Sequence, residues 1–269
     1  MAGRSVPGQA VRTKALLQVC LAGVSLLGCF VAFSTPLDAT SVVALVDHAN
    51  HRVVIAADCR VNRDEGSVSA CKIIQDRNCT VAMAGLYEER NTGFHLAELV
   101  HSACEVPGDL RAKAEAFLRI SRKPFARAVK EIREGEPGEF AKTIANKPTE
   151  VVFSGIQDGK LGLIVRGLVA SSDGKIRVER FESTAPSYPR IGYFVGLNDH
   201  IRAYLKAHPD WVKVDYTQLA PRLVELEVQA HPDLAGLPVS VIQVEESGLA
   251  IWVAYGACRP PGATDRSPL

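Results

Sequence analysis

Three polar side chains stand where the pattern of the chain asks for a core. Asp58 closes the apolar run "RVVIAAD", Lys72 interrupts "SACKIIQD", and Thr40 opens the strand-like "TSVVALVD" directly after Ala39. An isolated charge buried between sheets is costly, so an acid and a lysine in such places need a partner or a purpose. A threonine hydroxyl is a poor nucleophile until a base takes its proton. An α-amine, titrating at about 7.7–8.0 against about 10.4 for a lysine side chain, is partly free base at neutral pH. If the bond after Ala39 is cut, Thr40 carries both groups, and the chemistry on offer is acyl transfer. By the two-residue period of a strand, Thr40, Val42 and Ala44 share one face, and Val54, Ala56 and Asp58 share one face of the next strand. If "SACKII" neighbours them, Thr40, Asp58 and Lys72 meet at one end of a sheet. On periodicity alone, an exposed strand edge for Lys72 and a turn cap for Asp58 explain the same residues.

Residues 1–39 read as a segment that brings Thr40 to a terminus. A basic stretch ending "VRTK" precedes "ALLQVCLAGVSLLGCFVAF" (15–33), which holds no charge, and a short polar region with Pro36 ends in Ala39. That is the three-part layout of a secretory signal peptide removed on maturation. The alternatives are an uncleaved membrane anchor, since the uncharged run is just long enough to span a bilayer, and a lipoprotein, since Leu26 to Cys29 read "LLGC". Cleavage places the protein outside the cytoplasm, periplasmic or secreted; an anchor leaves it membrane-tethered.

The rest of the chain is unremarkable in charge. Of 269 residues, 47% are hydrophobic and 23% charged, with a net charge of +1. Without Arg4, Arg12, Lys14 and Asp38 of the leader, 28 basic and 29 acidic residues remain. Nothing in that balance points to nucleic acid as a partner. Cys59, Cys71, Cys79, Cys104 and Cys258 follow the leader. They form no CxxC and no ligand-like spacing with histidine, which argues against zinc. They are expected as small core residues, with one disulfide if the compartment is oxidising.

The elements that must position these residues follow from hydrophobic period. "TSVVALVD" and "RVVIAADC", separated by the polar "HANH" (48–51), read as a hairpin of buried strands. "SACKIIQD" and "CTVAMAGL" follow as strands around a turn at Asp76–Asn78. Residues 91–105 switch to helical spacing, with Phe94, Leu96, Leu99 and Val100 on one face behind an Asn/Thr cap. A second helix spans about 110–134, and 134–148 reads as a loop. Strands return at 149–157, 161–168 and 176–183, helices at about 197–207 and 217–230, and strands at 238–246 and 249–256. The Pro-rich tail 259–269 is expected to be disordered. Strands and paired helices alternate with no dividing linker, so residues 40–258 are expected to form one domain.

Several familiar signatures are missing, including GxSxG, HExxH, a Walker A loop and GxGxxG after a strand. His48 and His51 flank the first hairpin turn, where a polar turn explains them at least as well as a shared metal. No cofactor and no metal is expected.

The segments "TSVVALV", "RVVIAADCRV", "ACKIIQ" and "CTVAMAGLYEE" together resemble the N-terminal half of proteasome β-type subunits and the HslV peptidase, members of the N-terminal nucleophile (Ntn) hydrolase superfamily. The resemblance implies an α+β fold, a four-layer αββα sandwich, and an N-terminal threonine hydrolase, a peptidase or amidase. It assigns Thr40 as nucleophile, Asp58 as the acid of the "ADCRV" segment, and Lys72, 32 residues after Thr40, as the catalytic lysine. Gly85 of "MAG" takes the position whose backbone N–H binds the oxyanion, and glycine suits a backbone that must approach substrate closely. Asp233 of "HPDLAGLPVSV" takes the position of an acid that orients the terminal amine. Lys72, held by Asp58, would keep its charge and favour both a neutral Thr40 amine and the alkoxide-like transition state. Where the family carries a serine after the glycine of its third helix, this chain has Leu197 after Gly196. Ala235 or Gly236 falls where a second serine stands. These departures favour the alternative of a non-catalytic Ntn-fold assembly or binding protein. An extracytoplasmic acylase acting on a small molecule is a further alternative. The implied partners are a peptide or amide substrate and a homo-oligomeric ring. An ATP-driven unfoldase is not expected if the protein is exported.

Overall fold

The computed structural model describes residues 40–63, 66–76, 79–183 and 190–258. They fall within one compact unit, Phe33–Leu269. The expected signal peptide, the lipobox-like "LLGC", the tail 259–269 and the turn residues Arg77 and Asn78 lie outside the described residues.

The chain is an α+β protein built on antiparallel sheets. It opens with β1 (Ser41–Asp47) and β2 (Arg52–Ala57), joined by a tight turn over His48–Asn50 in which the Asp47 carboxylate accepts from the Asn50 N–H at 3.3 Å. Every residue of β1 is buried, as its unbroken apolar run requires of a strand covered on both faces. A small hairpin of β3 (Arg60–Arg63) and β4 (Gly66–Ser69) follows, then β5 (Ile73–Asp76) and β6 (Cys79–Ala84). The two-residue strands β7 (Glu88–Glu89) and β8 (Phe94–His95) lead into α1 (Leu96–Cys104) and the long α2 (Leu110–Gly135). A short helix α3 (Pro137–Glu139) and one wider turn (Phe140–Ile144) precede β9 (Pro148–Gln157), β10 (Lys160–Ala170), β11 (Ile176–Ser183) and β12 (Arg190–Gly196). Helices α4 (Asp199–Ala207) and α5 (Tyr216–Ala230) and the strands β13 (Ser240–Glu245) and β14 (Ala250–Ala254) complete the described chain.

Ten of the strands form two five-stranded sheets, ordered β12-β1-β2-β13-β14 and β11-β10-β9-β6-β5, while β3 pairs with β4 and β7 with β8 in two-stranded sheets. Alternation along the strands sorts their side chains into three cores. Val42, Ala44, Ile55 and Ile242 of the first sheet pack with Ala82, Ala84, Val152 and Leu163 of the second. The opposite face of the first sheet, through Val43, Leu45, Val54 and Ala56, packs on Tyr216, Leu219 and Leu223 of α5. The opposite face of the second, through Val81, Met83, Val151 and Phe153, packs on Val100 of α1 and Phe117 and Phe125 of α2. Helix α2 presents Leu110, Ala114, Phe117, Ser121, Phe125, Ala128 and Ile132 at three- and four-residue spacing, which makes one apolar stripe. Its first turn is capped by Asp109, whose carboxylate accepts from Ala112 N–H at 2.8 Å; that bond holds the carboxyl below its usual range.

Several elements depart from the sequence reading. The helix expected from residue 91 begins at Leu96, because the Glu89 carboxylate takes the N–H groups of Asn91 (2.9 Å) and Thr92 (2.8 Å) into a turn of its own. The expected loop 134–148 contains helical turns, drawn in by Phe140, which is buried against the α2 core. Strand β12 and the β3–β4 hairpin were not expected. Two disulfides form rather than one: Cys71–Cys258 and Cys79–Cys104, with Cys59 a buried thiol. No described helix is long and apolar enough to cross a membrane.

Candidate active site

Thr40 lies at the mouth of β1, held through its carbonyl. That carbonyl accepts from the Leu197 N–H at 2.8 Å, in the loop between β12 and α4. The next residue is gripped by the end of β2: Ser41 N–H donates to Asp58 Oδ1 at 2.9 Å, and Asp58 N–H donates to the Ser41 carbonyl at 3.2 Å. The Ser41 hydroxyl donates to the Leu197 carbonyl at 3.1 Å. Close approach is made by Gly196, at φ +75°, where an added Cβ would sit 1.8 Å from the Thr40 carbonyl oxygen. Gly196 is thus required both by its backbone conformation and by the space Thr40 occupies.

The three side chains singled out by pattern converge. Lys72 Nζ donates to Thr40 Oγ1 at 2.8 Å and to both Asp58 oxygens, at 3.1 and 3.2 Å. All three residues are at most 2% exposed. Neither the exposed-edge reading of Lys72 nor the plain turn cap for Asp58 survives this geometry. A buried ion pair holds only when the remaining lone pairs are satisfied. Asp58 meets that condition, because its carboxylate also accepts from the backbone N–H groups of Ser41, Arg60 (3.0 Å) and Gly236 (3.1 Å).

The route to this convergence differs from the one periodicity implied. Val42 and Ala44 face the second sheet, whereas Val54 and Ala56 face α5, on the other side of the same sheet. Strict alternation would carry Asp58 away from Thr40. Strand β2 ends at Ala57, however, and past that point the chain turns so that Asp58 is directed by its hydrogen bonds and not by the pleat. Lys72 likewise sits just ahead of β5, which starts at Ile73, and its carbonyl accepts from Met83 N–H at 3.0 Å.

Gly85 follows the last residue of β6 at φ +99°, where a Cβ would strike Thr149 Cα at 2.6 Å and the Pro148 carbonyl at 2.7 Å. Its neighbour Ala84 lies on the Thr40 side of the sheet, with its methyl group 3.5 Å from where a Gly196 Cβ would be. Asp233 is not brought into the group. It lies on an exposed turn after α5, where its carbonyl accepts from Asn62 Nδ2 at 3.2 Å. Gly236, three residues on, donates the N–H that Asp58 uses. His51 lies 2.9 Å from Glu246, both exposed, and among the described residues neither His48 nor His51 belongs to a group placed to hold a metal.

Sequence reasoning missed the backbone donors of Leu197, Arg60 and Gly236, which no side-chain pattern announces. It also missed Glu150, whose signal was a lone acid inside "TEVVFSG". Glu150 pairs across the ladder with Ala84 and is buried, and Tyr193 donates its hydroxyl to Glu150 Oε1 at 3.1 Å. Burial pushes the Glu150 carboxyl up from 4.5 to about 7, helped by the neighbouring Glu179 and opposed by the Tyr193 hydrogen bond. From pH 4.5 to about 7 the unfolded carboxyl ionises while the folded one keeps its proton, so stability falls as pH rises through that window and levels off above it. Glu150→Gln is expected to remove that slope and to stabilise the protein at pH 8 by up to about 3 kcal/mol. Urea melts of both proteins from pH 4 to pH 8 check it; a variant with an unchanged slope would refute it.

No family model matches the chain, and no curated protein matches it. The functional reading of this site stands on its residues and their geometry.

Proposed function

We propose that the mature chain begins at Thr40 and is an N-terminal threonine hydrolase, cleaving peptide or amide bonds by the mechanism of proteasome-like Ntn hydrolases. One observation carries the reading: Lys72 Nζ is 2.8 Å from the Thr40 hydroxyl and is held there by both oxygens of Asp58. The three cores, two on helices and one between sheets, support the four-layer αββα sandwich to which such a site belongs.

In this mechanism the freed Thr40 amine takes the hydroxyl proton, directly or through a water, as Oγ1 attacks the substrate carbonyl. The Lys72 ammonium stabilises the negative charge that develops beside it, and Asp58 fixes the lysine. The Gly85 N–H receives the oxyanion. The proton then passes from the amine to the leaving nitrogen, and water releases the acyl group from Oγ1 by the reverse sequence. None of these steps can begin while Ala39 is attached, because an amide nitrogen is not a base. We further propose an extracytoplasmic location, which suits two disulfides, and assembly with copies of itself, without an ATP-driven unfoldase.

The test is the N-terminus of the mature protein from its native host. Cleavage between Ala39 and Thr40 is expected, together with covalent labelling of Thr40 by a peptide epoxyketone or β-lactone. A mature chain starting at Met1, Cys29 or Ser41 would defeat the mechanism. In Thr40→Ala, signal peptidase would still remove the leader, whereas self-cleavage would stop, which separates the two routes to the free amine.

A further inference from the structure

Away from Thr40, two imidazoles and a carboxylate converge where α4 meets α5. Glu227 lies in the last turn of α5, His231 caps its end four residues later, and His200 is in the first turn of α4. Glu227 is fully buried, while His200 and His231 are partly exposed. Its Oε2 is 3.2 Å from His200 Nδ1 and 3.8 Å from His231 Nε2, and one donor atom from each residue lies within 4.8 Å of the others.

We propose that His200, Glu227 and His231 form a binding site for a divalent transition metal of the zinc class. The donor set suits it, since two imidazoles and one carboxylate are borderline ligands that leave room for water. The spacing suits it as well. Nitrogen and oxygen ligands about 2.0–2.2 Å from a tetrahedral ion stand about 3.3–3.6 Å apart, so small rotations of the imidazoles close the group around one.

Division of labour within the carboxylate favours a ligand over a plain helix cap. Glu227 Oε1 accepts from the Ile201 N–H at 2.9 Å, which satisfies the first turn of α4 and fixes the carboxylate plane. That leaves Oε2 directed at both imidazoles. Such an outer hydrogen bond is how ligating carboxylates are oriented in metal sites. The exposed sides of His200 and His231 leave the remaining coordination positions to solvent. None of the three residues takes part in the chemistry proposed for Thr40. Bound metal would fasten the start of α4 to the end of α5, three residues beyond Leu197, whose N–H holds the Thr40 carbonyl.

The experiment uses the full chain, stripped with a chelator and dialysed. Titration with Co²⁺, followed by its visible absorption, and with Zn²⁺, by calorimetry, is expected to show one ion per chain with a tetrahedral cobalt spectrum. Melting temperature should rise with free Zn²⁺, as it must for a ligand bound by the folded state alone. His200→Ala and His231→Ala are each expected to weaken binding at least about 10-fold. His200 is half exposed, so its loss leaves the fold intact by circular dichroism. Thr40→Ala should bind metal as the wild type does, which keeps this site separable from the proposed hydrolase. Absence of one-to-one binding, or equal affinity in His200→Ala and His231→Ala, would overturn the proposal.

Discussion

Lys72→Ala is expected to slow covalent labelling of Thr40 at least about 100-fold, the scale of effect for removing a positioned electrostatic group from a buried site. The lysine donates to Thr40 Oγ1 and to both oxygens of Asp58, so its loss removes the charge beside the Thr40 hydroxyl and uncouples Asp58 from it. The same substitution is expected to destabilise the fold. Breaking a buried pair from one side costs about 3–5 kcal/mol, and the backbone N–H groups of Ser41, Arg60 and Gly236 hold the effect toward the lower figure. Adding Asp58→Asn to Lys72→Ala removes the orphaned charge, and should recover part of the stability and none of the labelling. Rates measured well below each variant's melting temperature, beside urea melts, separate the two effects. Labelling within a few-fold of wild type by folded Lys72→Ala would remove the lysine from the mechanism.

Gly196→Ala is expected to be the most damaging single methyl addition near the site. Its Cβ would fall 1.8 Å from the Thr40 carbonyl oxygen, so either the β12–α4 loop or Thr40 itself must move. A left-handed backbone adds about 1 kcal/mol for any residue with a Cβ. Gly159→Ala provides the control, because Gly159 has φ +72° and no neighbour within 4 Å of an added Cβ. Gly159→Ala should cost about 1 kcal/mol and leave labelling of Thr40 unchanged. Gly196→Ala should cost several times as much and abolish labelling; equal melting temperatures for the two variants would contradict the close approach.

Much of the first half of the chain was legible because its elements are local. The buried strands of the first hairpin, and the polar residues placed inside apolar runs, are visible as departures from a simple period. Thr40, Asp58 and Lys72 were found that way, yet the face argument that joined Thr40 to Asp58 did not hold. Alternation describes a residue within a ladder, and Asp58 is one position past the end of its own. Asp233 was carried by likeness of sequence, and the group that reaches Asp58 from that turn is the Gly236 N–H, which has no side chain to read. Strand β12 went unrecognised although its Ile191, Tyr193 and Val195 alternate toward the space between the sheets. The helix–helix cluster of His200 with Glu227 and His231 was invisible, because two segments 27 residues apart meet only through the packing of α4 on α5.

The Cys71–Cys258 bond bears on when the surroundings of the candidate site are complete. Thr40, Asp58, Lys72 and Gly85 lie within the first 85 residues, but the segment that carries Lys72 is stapled to a cysteine 187 positions further along the chain. A nascent polypeptide therefore presents Thr40, Asp58 and Lys72 long before it can close the disulfide next to Lys72. A truncation ahead of Cys258 would keep those side chains and lose the anchor beside Lys72. Closure of this covalent circuit waits for Cys258 and needs an oxidant, so the clamp beside Lys72 is a late addition to the candidate site.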